Sequence, residues 1–213
     1  KPVNPNQVLL SLKKIIDNKR LVAEKTMTAY QQEFRNLFMA LSSGPDYNEW
    51  MDIYRKLVYW ELEMEKSDSP EMQEILVQQK EEANREFFKF VSKNYTQWVD
   101  PRTAGSPIMS HTLFKYKVLP HVEKGVPTIW LVIDNLRLDQ WKAIQPIFAE
   151  TFRIQEEESF YSILPTATHY SRNAVFAGLM PLEIEKAFPG LWKNDDEEGG
   201  KNMHEEELFR AQL

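Results

Sequence analysis

Apolar positions in the first half of the chain recur every three or four residues, and in the second half they gather into short continuous runs. Met27, Tyr30, Phe34, Leu37, Phe38 and Leu41 share one helical face. They continue a helix that opens near Asn6, with Asn4 suited to the N-cap and Pro5 to the first helical position, and that ends at Ser42-Ser-Gly-Pro45. Trp50, Ile53, Tyr54, Leu57 and Met64 make a second stripe. Asp68-Ser69-Pro70-Glu71 is a start signal for a third, which carries Met72, Ile75, Leu76, Ala83, Phe87, Phe90 and Val91. Connections this short set successive helices antiparallel, so the pattern predicts a three-helix bundle. The Lys/Glu-rich stretches 61–66 and 80–85 read as its solvated faces, with ion pairs along the helix.

After Asp100-Pro-Arg-Thr-Ala-Gly-Ser-Pro107, a linker composition, the period changes. A short helix from about Ser110 to Val122 leads to the run 128–133, which is β-branched and aromatic and lies between Pro127 and the polar Asp134-Asn135. Such a run reads as a buried parallel strand. Residues 137–152 read as a helix on Leu138, Trp141, Ile144, Ile147 and Phe148, with Pro146 as a kink. Residues 160–164 read as a second strand, and 170–179 as a further helix closed by Met180-Pro181. The interval from Asp134 to Thr168 leaves room for a helix and a strand, the minimum of a right-handed parallel crossover.

Chemistry in open α/β sheets gathers beyond the carboxyl ends of strands, where Asp134 and Thr168 would stand together. A threonine hydroxyl becomes a nucleophile when a divalent cation lowers its pKa, and a carboxylate can hold that cation. The first turn of a helix adds backbone N–H groups that favour a phosphate or sulfate. The same residues also admit a plain reading, with Thr168 as an N-cap and Asp134 satisfying the start of the next helix. The four histidines, His111, His121, His169 and His204, show no ligand spacing among themselves. The acidic stretch from Asp195 to Glu198 lacks the alternation of a calcium loop and reads as solvated.

Thr168-His-Tyr-Ser171-Arg172, with Pro165 before it and Gly178 and Pro181 after it, resembles the nucleophile motif of the alkaline phosphatase superfamily. More narrowly, Val132-Ile-Asp-Asn-Leu-Arg-Leu-Asp-Gln-Trp141, Leu164-Pro-Thr-Ala-Thr-His-Tyr-Ser-Arg-Asn173 and Phe176-Ala-Gly-Leu-Met-Pro-Leu-Glu-Ile184 are similar to the PglZ domain of PorX-type response regulators. The resemblance implies a mixed fold: a three-helix bundle followed by the start of an α/β alkaline-phosphatase-like parallel sheet. Residues 1–18 would be the last helix of a receiver domain, 19–99 the bundle, 100–110 the linker, and 111–213 the first, truncated part of the PglZ domain. Thr168 is implied as nucleophile and metal ligand and Asp134 as a ligand. Asn135, Ser171 and Arg172 would support the phosphate, and Lys1 would be the receiver's phosphoryl contact. Two zinc ions per complete site, a phosphodiester or oligonucleotide substrate and a sensor histidine kinase partner follow, in signalling linked to secretion and gliding.

A piece ending at Leu213 would lack the remaining Asp and His ligands and is expected to be inactive alone. A sulfatase or phosphonate hydrolase would share Thr168 and Asp134, and a non-enzymatic partner-binding output module would share the fold. The bundle could relay phosphorylation or form a homodimer interface. A net charge of −6 over 213 residues argues against broad binding to duplex DNA. Cys is absent, which excludes disulfides and thiolate zinc sites. No apolar run is long enough for membrane insertion and no secretory signal opens the chain, so a cytoplasmic location is expected.

Overall fold

The computed structural model describes residues 4–66, 69–100 and 102–213, the side chain of Ala23 excepted. Lys1, the expected receiver contact, and Asp68 of the third helix's start signal lie outside the described residues. The chain forms two compact units, Lys1–Thr96 with Arg137–Phe148, and Gln97–Leu136 with Ala149–Leu213.

Three long helices, α1 (Pro5–Ser42), α2 (Tyr47–Glu65) and α3 (Pro70–Trp98), build the first unit's core. Asn4 caps α1 through a 3.0 Å bond from the Asn6 N–H, and Pro5 opens the helix, as the sequence predicts. Asp46 and Glu49 close a reciprocal capping box on α2. Tyr30, Leu37 and Leu41 meet Trp50, Ile53, Leu57, Trp60 and Met64 of α2 and Met72, Leu76 and Ala83 of α3. Tyr30 packs on Trp60 with ring centroids 5.1 Å apart, and Trp50 meets Phe87 edge-on at 5.2 Å. Met27, Phe38, Tyr54 and Ile75, assigned to the buried stripes by their spacing, are exposed.

One polar side chain crosses this core. Gln79 of α3 accepts from the Tyr30 hydroxyl at 3.3 Å and donates to the Phe34 carbonyl at 3.2 Å, so the Gln79 amide and the Tyr30 hydroxyl satisfy one another inside the core. Burial pushes the Tyr30 phenol up to about 12. Upstream of Tyr30, α1 leaves Val8, Leu9, Leu12, Ile15, Ile16 and Val22 exposed. Helix α5 (Leu138–Ala149), with Pro146 inside it, groups with the bundle unit.

The second unit is built from shorter pieces. The helix expected from Ser110 to Val122 is a 3-10 turn (Ser110–Thr112), a π-helical turn (Phe114–Val118) and α4 (Leu119–Val122), with Pro120 in the first turn of α4. Helices α6 (Thr168–Ala177), α7 (Pro181–Ala187) and α8 (Glu205–Gln212) follow. Ala177, Ile184, Trp192 and Leu208 form their buried cluster.

No ladder of strands is present among the described residues, where the sequence pattern leads to strands at 128–133 and 160–164. The second run contributes a single parallel bridge, Met109 to Tyr161, with the Ser110 N–H donating to the Tyr161 carbonyl and the Tyr161 N–H to the Ile108 carbonyl. The first run is extended and has no partner strand among the described residues. The physical reason is that a strand, unlike a helix, satisfies its backbone only through a neighbour. Ile129 is accordingly 95% exposed, while Trp130 is inserted among Phe114, Phe176 and Phe209 with centroids 5.4 to 5.6 Å away. That single anchor fixes the approach to Asp134.

Candidate functional site

Helix α6 opens the site. Its N-cap is Ala167, which has no side chain able to cap, so Thr168 is the first helical residue and its hydroxyl is not spent on the backbone. This corrects the reading of Thr168 as an N-cap. The Thr168 hydroxyl instead donates to Asp134 Oδ2 at 3.3 Å.

Asp134 ends the extended run at a turn in which Asn135 takes a left-handed φ of 60°, a conformation asparagine tolerates better than most residues. The Asn135 N–H donates to Asp134 Oδ1 at 3.1 Å, so the carboxylate is oriented by its own turn. Its other oxygen faces Thr168 and also accepts from Arg172 Nη1 at 2.9 Å. Arg172 Nε donates in turn to Glu205 at the start of α8. Burial works against the Arg172 charge, but Glu205 and Asp134 more than restore it and hold its pKa above the usual arginine value. Two carboxylates and one guanidinium leave this group with an excess of one negative charge.

The structure thus brings together Asp134, Asn135, Thr168 and Arg172. Ser171 differs: its hydroxyl turns back to the Thr166 and Ala167 carbonyls at 3.1 and 3.2 Å, the local bonding common for serine in helices. Three further residues were missed by sequence reasoning. Glu205 is one, and no spacing rule connects it with Arg172. The others are His169 and Asp195: His169 Nδ1 lies 2.9 Å from Asp195 Oδ1, while the Tyr170 hydroxyl donates to Asp195 Oδ2 at 2.5 Å. Tyr170 first, and then His169, hold the Asp195 carboxyl below its usual range. The His169 ring stacks on Trp192 with centroids 4.7 Å apart. The acidic stretch is exposed, as expected of a solvated loop, and one of its residues, Asp195, is also a tie to the first turn of α6.

A second tie runs through asparagines. Asn202 Nδ2 donates to the Thr168 carbonyl at 3.2 Å and to Asn173 Oδ1 at 3.0 Å, and Asn173 Nδ2 donates to the Lys201 carbonyl at 3.0 Å. Asn173 is fully buried, so these bonds replace water that it cannot reach. Farther along α6, the left-handed Gly178 closes the helix, and an added Cβ there would overlap the Gln212 side chain, which donates to the Val175 and Phe176 carbonyls.

As a metal site this set is incomplete. Asp134 Oδ2 and Thr168 Oγ1 are hard oxygen donors at one edge, whereas zinc takes four ligands, and no group of three His, Cys, Asp or Glu converges among the described residues. Arg172 also occupies the shared oxygen.

Residues 113–213, which include Asp134, Thr168 and Arg172, match the BREX system PglZ alkaline phosphatase-like domain. The half of the molecule that carries the site is thus alkaline phosphatase-like. Residues 20–99 match the PorX response regulator linker domain, and in this order the two matched regions resemble the arrangement of a PorX-type response regulator that carries a PglZ domain. Among curated proteins none matches the chain closely enough to serve as a relative. No helix among the described residues is long and apolar enough to cross a membrane.

Proposed function

We propose that the chain is a response regulator whose output domain is a metal-dependent phosphodiesterase acting on oligonucleotides or nucleotides, in signalling that controls secretion and gliding and that a sensor histidine kinase starts. The observation that carries this reading is the convergence of the Thr168 hydroxyl and Arg172 Nη1 on one oxygen of Asp134, at 3.3 and 2.9 Å. Thr168 Oγ1 is the nucleophile: it forms the new bond to phosphorus as the bond to the leaving alcohol breaks, and its proton already points to Asp134 Oδ2. Arg172 supplies paired N–H donors that suit phosphate oxygens.

The excess negative charge around Asp134 would repel a phosphodiester anion, so productive binding calls for a cation at Asp134 and Thr168. Zinc, two per complete site as the resemblance implies, would supply that charge and lower the hydroxyl pKa. In the whole domain the run 128–133 would pair as a parallel strand, and the Met109–Tyr161 bridge is compatible with such a sheet.

The test is zinc-dependent hydrolysis of bis(p-nitrophenyl) phosphate by protein carrying the whole PglZ domain, beside its Thr168→Val variant. Loss of roughly a thousand-fold or more in kcat with zinc content unchanged is expected for a removed nucleophile. Equal activity in the two proteins would remove Thr168 from that role, and preferential hydrolysis of a sulfate ester would reassign the substrate.

A further inference from the structure

We propose that α5 is a lever through which the bundle unit sets the position of Asp134, and with it the grip of Asp134 on Thr168 and Arg172. The inference gives the site described above a means of regulation, so its purpose rests on the phosphodiesterase reading, while its mechanism rests on where α5 lies.

Helix α5 is out of step with its own sequence. Residues 113–213 match one domain throughout, yet Arg137–Phe148 belong to the unit built by α1, α2 and α3, and the chain up to Leu136 and from Ala149 belongs to the other. The chain therefore leaves the second unit, passes through the first and returns. Within the bundle unit, Leu138, Trp141, Ile144 and Phe148 are half-buried, whereas Ala143 and Ile147 are exposed. A helix of 12 residues is marginal alone in water, so α5 takes its place from the unit that covers this face. Just before it, Asp139 first, and then Glu61 and Tyr54 of α2, favour the charge of Arg137.

The two crossings differ in slack. On the way in, only Asn135 and Leu136 separate Asp134 from Arg137, a span of at most about 11 Å. Both ends of that span are fixed. The Asn135 N–H holds Asp134 Oδ1 at 3.1 Å. The Arg137 N–H donates to Gln140 Oε1 at 3.0 Å, and its carbonyl accepts from the Trp141 N–H at 2.9 Å, which closes the start of α5. On the way out, residues 149–160 precede the bridge of Tyr161 to Met109. The longer leg takes up a displacement of α5 that the short one passes on to Asp134.

Asp134 Oδ2 meets Thr168 at 3.3 Å and Arg172 at 2.9 Å, so a shift of roughly 1 Å parts them. Thr168 and Arg172 stay behind, because Asn202 is bonded to the Thr168 carbonyl and Glu205 to Arg172 Nε. Two states follow, one with the Asp134 carboxylate clasped and one with it free. The bundle biases the equilibrium between them through α5.

Linkage is reciprocal, so the coupling can be read from the site back to α5. Amide hydrogen exchange of α5 is followed by NMR on the 213-residue chain, with neither metal nor substrate added. Thr168→Val combined with Arg172→Gln removes both partners of Asp134 Oδ2 and leaves 134–149 unchanged in sequence. Exchange of the α5 amides is expected to rise roughly five-fold or more, and Arg172→Gln alone should give a smaller rise in the same direction. Two glycines inserted between Leu136 and Arg137 add slack to the short leg and should abolish the difference. Asn202→Ala, which loosens α6 but leaves both partners of Asp134 in place, should not reproduce it.

The lever would be overturned by α5 exchange that is indifferent to the double substitution, that responds equally with the two glycines in place, or that rises as much in Asn202→Ala. The expected exchange pattern without diester hydrolysis by the whole domain would keep the lever and reject the phosphodiesterase reading.

Discussion

In the bundle, Leu37, Ile53 and Leu76 come from three helices into one apolar core, with Gln79 as its polar crossing. Around Thr168 the fastening is mainly polar: Asp134, Arg172 and Glu205 on one side, Asn173 and Asn202 on another, Asp195 beneath His169 and Tyr170. The most continuous apolar run of that half, around Ile129 and Leu131, is exposed. The contrast teaches where each kind of interaction belongs. Apolar packing is non-directional and tolerates small shifts, whereas a nucleophile must be set by bonds that have a direction.

Substitutions can separate the two kinds of fastening. The largest effect is expected from Leu37→Ala, because an almost fully buried leucine leaves a cavity: about 2–5 kcal/mol lost in urea unfolding monitored by far-UV circular dichroism. A loss under about 1 kcal/mol would show that the bundle is not held by that core. Next comes Asn173→Leu, which has similar bulk but strands Asn202 and the Lys201 carbonyl. It should cost about 1–3 kcal/mol by the same assay. A stabilised variant would mean that the asparagine tie contributes nothing and that apolar packing rules in both halves.

The smallest effect is a pH dependence. Burial alone would raise the Glu33 carboxyl, but Lys56 at 2.8 Å and Asn36 outweigh it and leave the pKa lowered. A carboxyl lowered in the folded state adds stability that is present above its ordinary pKa and is lost as pH falls through the lowered one. Lys56→Met should therefore reduce stability by at most about 1 kcal/mol near neutrality, Lys56 being half exposed, and by less in acid. A difference from the unmodified protein that grows on acidification, measured by thermal unfolding, would contradict that sign.

The helices were legible because each carries its own signals. Asn4 and Pro5 mark the start of α1, and the stripes of Tyr30, Trp50 and Met72 mark the faces that pack. Exposure of Phe38 and Tyr54 was not legible, since spacing sets a face but not how far the neighbouring helix covers it. The strand pattern at 128–133 was equally visible, yet a strand needs a distant partner that local pattern cannot supply. At the site, Asp134, Thr168 and Arg172 could be found because two lie within one motif and the third ends an apolar run. Glu205, Asp195 and Asn202 could not, because each acts across a fold that brings remote positions together.

Helix α8 has one more property. Glu205, Leu208 and Gln212 stand three and seven residues apart on one stripe, so the helix grips α6 at Arg172 near one end and at the Val175 and Phe176 carbonyls near the other, with buried Leu208 between. It acts as a splint whose two clasps are two turns apart. A splint of this kind is sensitive to length rather than to composition: one inserted residue after Leu208 would swing Gln212 about 100° around the axis, so that with Glu205 still clasped the far end of α6 would come loose.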